Sequence, residues 1–584
     1  MKRWITRIFA TIGGVVVVAA VLSLVISAIT RDRVADPTIL VVDLEKPMVE
    51  SVVDDPLARI MLEDHLQVRE VVDAIDRAAD DDRVVGLVAR IGAGGQGLAA
   101  IQEVRQAVER FQASDKPAVA YAETIGEVGP GNEGYYLASA FDEIYLQQSG
   151  DIGLTGLISH TPFLAETWEK LHLEPRMDHR HEYKNALNTF TETEFTEAHE
   201  EAEQAVLDAI FDDMVEDIAA DRGLDRSELR ELVDEGPFLG EEAVEAGLVD
   251  RLAYRRQVHD RLEEELGVEA ERMGLRAYLR AAGEPHERGT GVAVIHGTGG
   301  VARGESGFQP LTGAQSMGSD SVTRAFRDAI EDDDIEAILF RVDSPGGSYV
   351  ASDAIWYEVS QAREAGKPVV VSFGNVAASG GYYVAMDADR IVSQPATVTG
   401  SIGVLGGKLL TEEFWREQFG LNWDWVQSSE NAGHWTGLQD YTDHGWSRHQ
   451  DWLDRVYGDF TEKAAAGRKK PVDHVHDVAK GRIWSGSQAL EHDLVDSLGG
   501  YAEARAEIRE LLELEEDAPL AMRPFPEPRT FLEALMAGDQ QRGGVELAAI
   551  RALEAIQPAM RELERAGIIS DREVLELPRE PDIR

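Results

Sequence analysis

The chain has 584 residues and carries 107 Asp and Glu against 57 Lys and Arg, a net charge of −50. The acids run along the whole length, so the basic footprint that phosphate binding needs is missing, and this argues against nucleic acid as a partner. There is no cysteine, which excludes disulfides, thiol catalysis and Cys-ligated zinc. So diffuse an acidic surface reads as a solvated coat, suited to salty surroundings where screening suppresses self-repulsion.

In chain order, the first element is apolar. Residues 8–29 hold no charge. As a helix they span about 33 Å, enough for a hydrocarbon core of about 30 Å. Lys2, Arg3 and Arg7 precede them, and Arg31, Asp32 and Arg33 follow with a smaller net positive charge. The positive-inside rule leaves the N-terminus in the cytoplasm and residues 34–584 on the other side. The stretch is long for the core of a cleaved signal peptide. The expectation is an uncleaved, single-pass anchor over residues 1–33, in the inner (cytoplasmic) membrane.

Beyond the anchor the chain repeats itself. VVGLVARI at 84–91 and IEAILFRV at 335–342 are apolar, strand-like runs, each of the kind buried in a parallel sheet. Each follows a helix-like segment ending in acids, and Arg90 then matches Arg341. Lys116-Pro117 heads the strand AVAYA, and Lys367-Pro368 heads VVVSF. EGYYLASAFDEIYL at 133–146 is followed up by GGYYVAMDADRIVS at 380–393, and FLGEEAVEAGLVDRL at 238–252 by WSGSQALEHDLVDSL at 484–498. Matched blocks in one order mark two copies of one α/β domain, and alternating strand-like and helix-like segments mark βαβ units. The copies are placed at 34–285 and 290–515, with AAGEPHERGTG at 281–291 across the linker. Residues 516–584 read as a C-terminal extension, opening Pro-rich (RPFPEPR, 523–529) and ending in a polar, partly disordered tail.

The chemistry sits in two Gly-rich turns of the second copy. Ser379 lies between Ala377-Ala378 and Gly380-Gly381, after a buried strand. A nucleophile needs an exposed oxygen at a tight strand-to-helix turn, with small neighbours that admit a substrate carbonyl. The amide of Gly380 is one oxyanion donor, and the turn DSPGGS at 343–348, with Gly346 and Gly347, offers another. Spacing alone leaves open that both loops are simple tight turns. His296, His434, His474 and His476 have no HExxH-like spacing and read as ordinary histidines. There is no Walker A motif, so no nucleotide drive is implied, and no metal or other cofactor is expected.

The strings SPGG (344–347), NVAASGGYYVA (375–385) and TGSIGV (399–404) closely resemble signal peptide peptidase A (protease IV), in the clan that also holds the Clp protease and crotonase folds. The duplicated architecture with its N-terminal anchor resembles the long bacterial form, over residues 1–530. The resemblance implies a fold of tandem crotonase/Clp-protease-like βαβ domains and a serine peptidase with a Ser-Lys dyad. It implies Ser379 as nucleophile and, from HEYKNA at 181–186 against the family's KYKSA-like motif, Lys184 as general base. Ser401 is implied as the group that hydrogen-bonds the lysine amine. It also implies a homotetramer acting on cleaved signal peptides and other apolar peptides.

The division between copies supports this from inside the sequence. The position matching Ser379 in the first copy is Asn132, and the position matching Lys184 in the second is Glu430, so each copy keeps one element and one site is expected across both. A lysine serves as base only when neutral, so it must lose its proton about 2–3 pH units below its ordinary value of about 10.4, which burial can do. Arginine cannot be deprotonated in this way. Two other classes remain in view: an acyl-CoA enzyme on the shared fold, which lacks CoA outside the cytoplasm, and a scaffold with a decayed site, which has no reason to keep Ser379 and Lys184.

Overall fold

A computed structural model of the chain describes residues 33–53, 55–310, 312–527 and 582–583. The apolar stretch 8–29 lies outside the described residues. Among the described ones, no helix is long and apolar enough to cross a membrane.

Two parallel sheets carry the fold. In the first, the strand order is Arg251–Leu252, Glu143–Leu146, Ala118–Ala122, Val84–Arg90, Thr38–Asp43, Glu271–Gly274, with every neighbouring pair parallel. The second repeats that order with Ser497–Leu498, Arg390–Ser393, Val369–Ala378, Ala337–Ser344, Thr290–Thr298 and Leu520–Phe525, again parallel. The central strands are almost wholly buried, which is why they read as unbroken apolar runs and not as alternating ones.

The duplication extends to single hydrogen bonds. Lys116 Nζ donates to the carbonyls of Ala78 and Ala79, each at 2.8 Å, and Lys367 Nζ donates to that of Ala329 at 2.8 Å. Tyr135 OH donates to the Leu248 carbonyl, and Tyr382 OH to that of Leu494, both at 2.9 Å.

One strand departs from the sequence expectation. Leu520–Phe525 falls in the stretch assigned above to the C-terminal extension, yet it pairs with Thr290–Ile295. It is an edge strand, where a proline such as Pro524 is tolerated. Beyond residue 527 only Asp582–Ile583 are described, and they pair antiparallel with Ser159–His160.

The copies are joined by buried charge. Arg341 is 1% exposed. It donates to Glu50 through Nε and Nη2 and to Glu103 through Nη2, all at 2.8 Å, and both carboxylates belong to the first copy. A buried cation costs several kcal/mol unless paired in this way, so the pairing fixes how the copies sit. A strand also crosses between them: Glu174–His179 of the first copy pairs antiparallel with Leu405–Leu410 of the second, from Glu174 opposite Leu410 to His179 opposite Leu405.

Candidate active site

Ser379 stands where the strand Val369–Ala378 gives way to the helical turn Gly380–Tyr383. Its φ of 52° and ψ of −116° lie in a region that non-glycine residues rarely adopt, and such strain persists only where the surroundings enforce it. Small neighbours are obligatory. A Cβ on Gly381 would lie 2.4 Å from the Ser344 carbonyl oxygen, and one on Gly380 2.6 Å from Ser352 Oγ. The amide of Ser379 donates to the Gly400 carbonyl at 2.9 Å, which draws Ser401 alongside.

Ser401 follows the strand Val398–Gly400, which pairs with Val376–Ala378. It too has a positive φ, 49°, and it is buried. Its amide donates to the Arg482 carbonyl at 2.7 Å.

Lys184 arrives from the first copy, just past the crossing strand. The Arg180 amide donates to the Val404 carbonyl at 3.0 Å and the Tyr183 amide to that of Lys480 at 3.2 Å. A Cβ on Gly481 would lie 2.5 Å from both N and Cα of Lys184, so the bare glycine lets the two backbones touch. Lys184 is 4% exposed. Its Nζ lies 3.1 Å from Ser379 Oγ, 2.9 Å from Ser401 Oγ and 2.9 Å from the Ser401 carbonyl oxygen. One chain thus brings together the three side chains singled out from its motifs.

The matching positions of the other copies do different things. Asn132 is buried, and its Oδ1 accepts from the amides of Thr155 and Gly156 at 2.9 and 3.1 Å. Glu430 is exposed.

The glycines differ in what their amides do. Gly346 N donates to Ser344 Oγ at 3.2 Å. A Cβ on Gly380 would lie 3.1 Å from Gly347 N, so the Gly347 nitrogen lies close against the Ser379 turn. The preceding residue, Asp343, was not apparent from the sequence. Its Oδ1 accepts from Val376 N at 2.9 Å, tying the SPGG turn to the strand that delivers Ser379. Burial, with Glu50 nearby, pushes its carboxyl up to about 6. The histidines are engaged elsewhere: His296 Nε2 lies 3.2 Å from Tyr501 OH, and His476 Nδ1 2.9 Å from Tyr457 OH.

The profile of peptidase family S49 matches residues 110–269 and 361–515, once in each copy. The protein is a serine peptidase. It belongs to peptidase family S49, with the family's domain present twice. It is 29% identical over 502 residues to Protease 4 of Salmonella typhi, covering 84% of this chain and 78% of that one. It is 28% identical over 498 residues to Protease 4 of Haemophilus influenzae, covering 82% and 78%. It is 27% identical over 478 residues to the chloroplastic serine protease SPPA of Arabidopsis thaliana, covering 79% and 68%.

Proposed function

We propose that this peptidase is a membrane-anchored endopeptidase working through a Ser-Lys dyad. Its substrates are apolar peptides, cleaved signal peptides foremost, on the extracytoplasmic side. The observation that carries the dyad is the buried amine of Lys184, 3.1 Å from Ser379 Oγ and 2.9 Å from Ser401 Oγ.

Neutral Lys184 takes the hydroxyl proton of Ser379 as Oγ attacks the substrate carbonyl carbon. The oxygen that gains the charge is met by the amides of Gly380 and Gly347, with Gly346 holding the turn through Ser344. As the tetrahedral intermediate collapses, the C–N bond breaks and Lys184 returns the proton to the leaving amine. Water, deprotonated by the same amine, then hydrolyses the acyl-Ser379 ester. Ser401 Oγ, accepting from Nζ, keeps the lone pair aimed at Ser379.

The anchor rests on the apolar run of residues 8–29 and its flanking positive charges. Assembly into a homo-oligomer, a tetramer by resemblance, is supported by the crossing strand. In the second copy the stretch equivalent to Glu174–His179 is 420–425, where Trp423 and Trp425 are exposed. The first copy's own segment Ser159–His160, which pairs here with Asp582–Ile583 of the same chain, is the seat such a strand from a neighbouring chain would take.

The test of the dyad is fluorophosphonate labelling of the purified protein. Labelling should be lost in Ser379→Ala and in Lys184→Ala. Undiminished labelling of Ser379→Ala would remove Ser379 from the mechanism.

A further inference from the structure

The strand leading into Ser379 contains a bulge. Val369–Ala378 runs beside Ala337–Ser344 with Val342 opposite Phe373, and pairing resumes with Ser344 opposite Ala377. Gly374, Asn375 and Val376 therefore stand against Asp343 alone. Such a bulge re-aims whatever follows it, and here that is Ser379. The backbone of the bulge is fastened within the second copy: the amides of Val376 and Asn375 donate to the Asp343 carboxylate, and the Gly374 carbonyl accepts from Thr397 Oγ1 at 2.8 Å, which leaves the Asn375 side chain.

Asn375 turns the other way, into the first copy. Its Oδ1 accepts from Ala100 N, and its Nδ2 donates to the Gln96 carbonyl, both at 3.2 Å. Ala100 is the third residue of the helix Leu98–Gln112, so its amide is one of the donors a helix start leaves unsatisfied. The residue before that helix is Gly97, which has no side chain to cap it. Aligned on Arg90 and Arg341, the equivalent of Gly97 is Ser348, whose Oγ accepts from Ala351 N at the start of Tyr349–Glu364. The first copy therefore lacks the cap that the second copy makes for itself. The space is used: a Cβ on Gly97 would lie 2.3 Å from Asn375 Oδ1.

We infer that Asn375 is a positioning residue for Ser379. It supplies from the second copy the N-cap missing from the helix Leu98–Gln112, and in doing so it fixes the bulge that holds the nucleophile in its strained conformation. This rests on the proposed role of Ser379. It makes docking of the two copies a condition for aiming the serine as well as for delivering the lysine.

The test uses the full chain and a fluorogenic apolar peptide. Asn375→Ala should lower kcat about tenfold or more with KM within about twofold, and should slow fluorophosphonate labelling of Ser379 in step. Asn375→Asp keeps the acceptor for Ala100 N at a helix N-terminus, where negative charge is favoured, but sets an oxygen against the Gln96 carbonyl, and should recover part of kcat. Asn375→Ser, with a shorter acceptor, should fall between and serves if the alanine variant does not fold. Hydrogen exchange of the Ala100 amide should rise in the order of the kcat losses. Wild-type kcat in Asn375→Ala, or an aspartate variant as poor as the alanine one, overturns the inference. Cleavage by Ser379→Ala would instead sink the nucleophile assignment, and the exchange of Ala100 would still report on the cap by itself.

Discussion

Lys184 Nζ lies 3.1 Å from Ser379 Oγ across 195 residues of chain. The lysine comes from one copy of a duplicated fold and the serine from the other, and the crossing strand Glu174–His179 is what brings them together.

The base is the first thing to test. Lys184→Arg and Lys184→Ala should fold and lose at least about 10³-fold in kcat, the arginine because a guanidinium stays protonated. Ser401→Ala should lose about 10–100-fold, the scale of one hydrogen bond to an amine that changes charge. In the wild type, kcat should climb with pH into the alkaline range as the amine deprotonates. Near-normal turnover in Lys184→Arg would dismiss the lysine.

A composite site predicts silent halves. Residues 34–285 and residues 290–584, expressed separately, should each fail to cleave peptides. Mixing full-length Ser379→Ala with Lys184→Ala should restore nothing, because each chain closes its own site. Appreciable activity in the mixture would mean that neighbouring chains exchange the strand Glu174–His179. Activity of residues 290–584 alone at a rate near the intact protein's would refute the composite site.

The proton on Asp343 should register in stability. Its carboxyl is pushed from 3.8 up to about 6 in the folded chain. Between those values the folded chain holds a proton that the unfolded chain has released, so this group's contribution makes stability fall as pH rises, and it levels off above about 6. Asp343→Asn removes that contribution while keeping an acceptor for Val376 N. The melting temperature of the variant minus that of the wild type should therefore grow from pH 4 to pH 6 and then stay constant. A difference that does not change with pH would show that Asp343 titrates normally.

Salt should stabilise the protein. With a net charge of −50, self-repulsion opposes the compact state and screening relieves it. Melts of residues 34–584 should shift upward between dilute buffer and molar NaCl. A flat or falling melting temperature would end the reading of salt adaptation and leave the chemistry untouched.

Much of this was legible in the sequence because duplicated motifs are self-checking. Two Lys-Pro strand starts and two aromatic-rich helix starts imply two sheets of one design, and the strand order repeats. Ser379 was marked by the small residues that crowd a tight turn, whereas Lys184 and Ser401 came from the resemblance of HEYKNA and TGSIGV to the family's motifs. The remainder escaped because its signal is not local. The strand Glu174–His179 is polar and only partly buried, so neither its type nor its partner follows from its own residues. Leu520–Phe525 contains a proline and reads as the start of a C-terminal extension until its edge position is known. Asp343, Asn375 and Gly97 act through backbone amides across a bulge or an interface, and no periodicity marks them. Gly346 and Gly347 look alike in a string; only the bond from Gly346 N to Ser344 Oγ separates them.

The order of the two copies along the chain also sets a clock. A polypeptide is made N-terminus first, at about 5–20 residues per second. The segment bearing Lys184 is therefore complete some 10–40 s before Ser379 is synthesised. The second sheet lacks its edge until Leu520–Phe525 follows. On the proposed Ser-Lys dyad, a growing chain carries no competent site until Ser379 and the strand Leu520–Phe525 have been made.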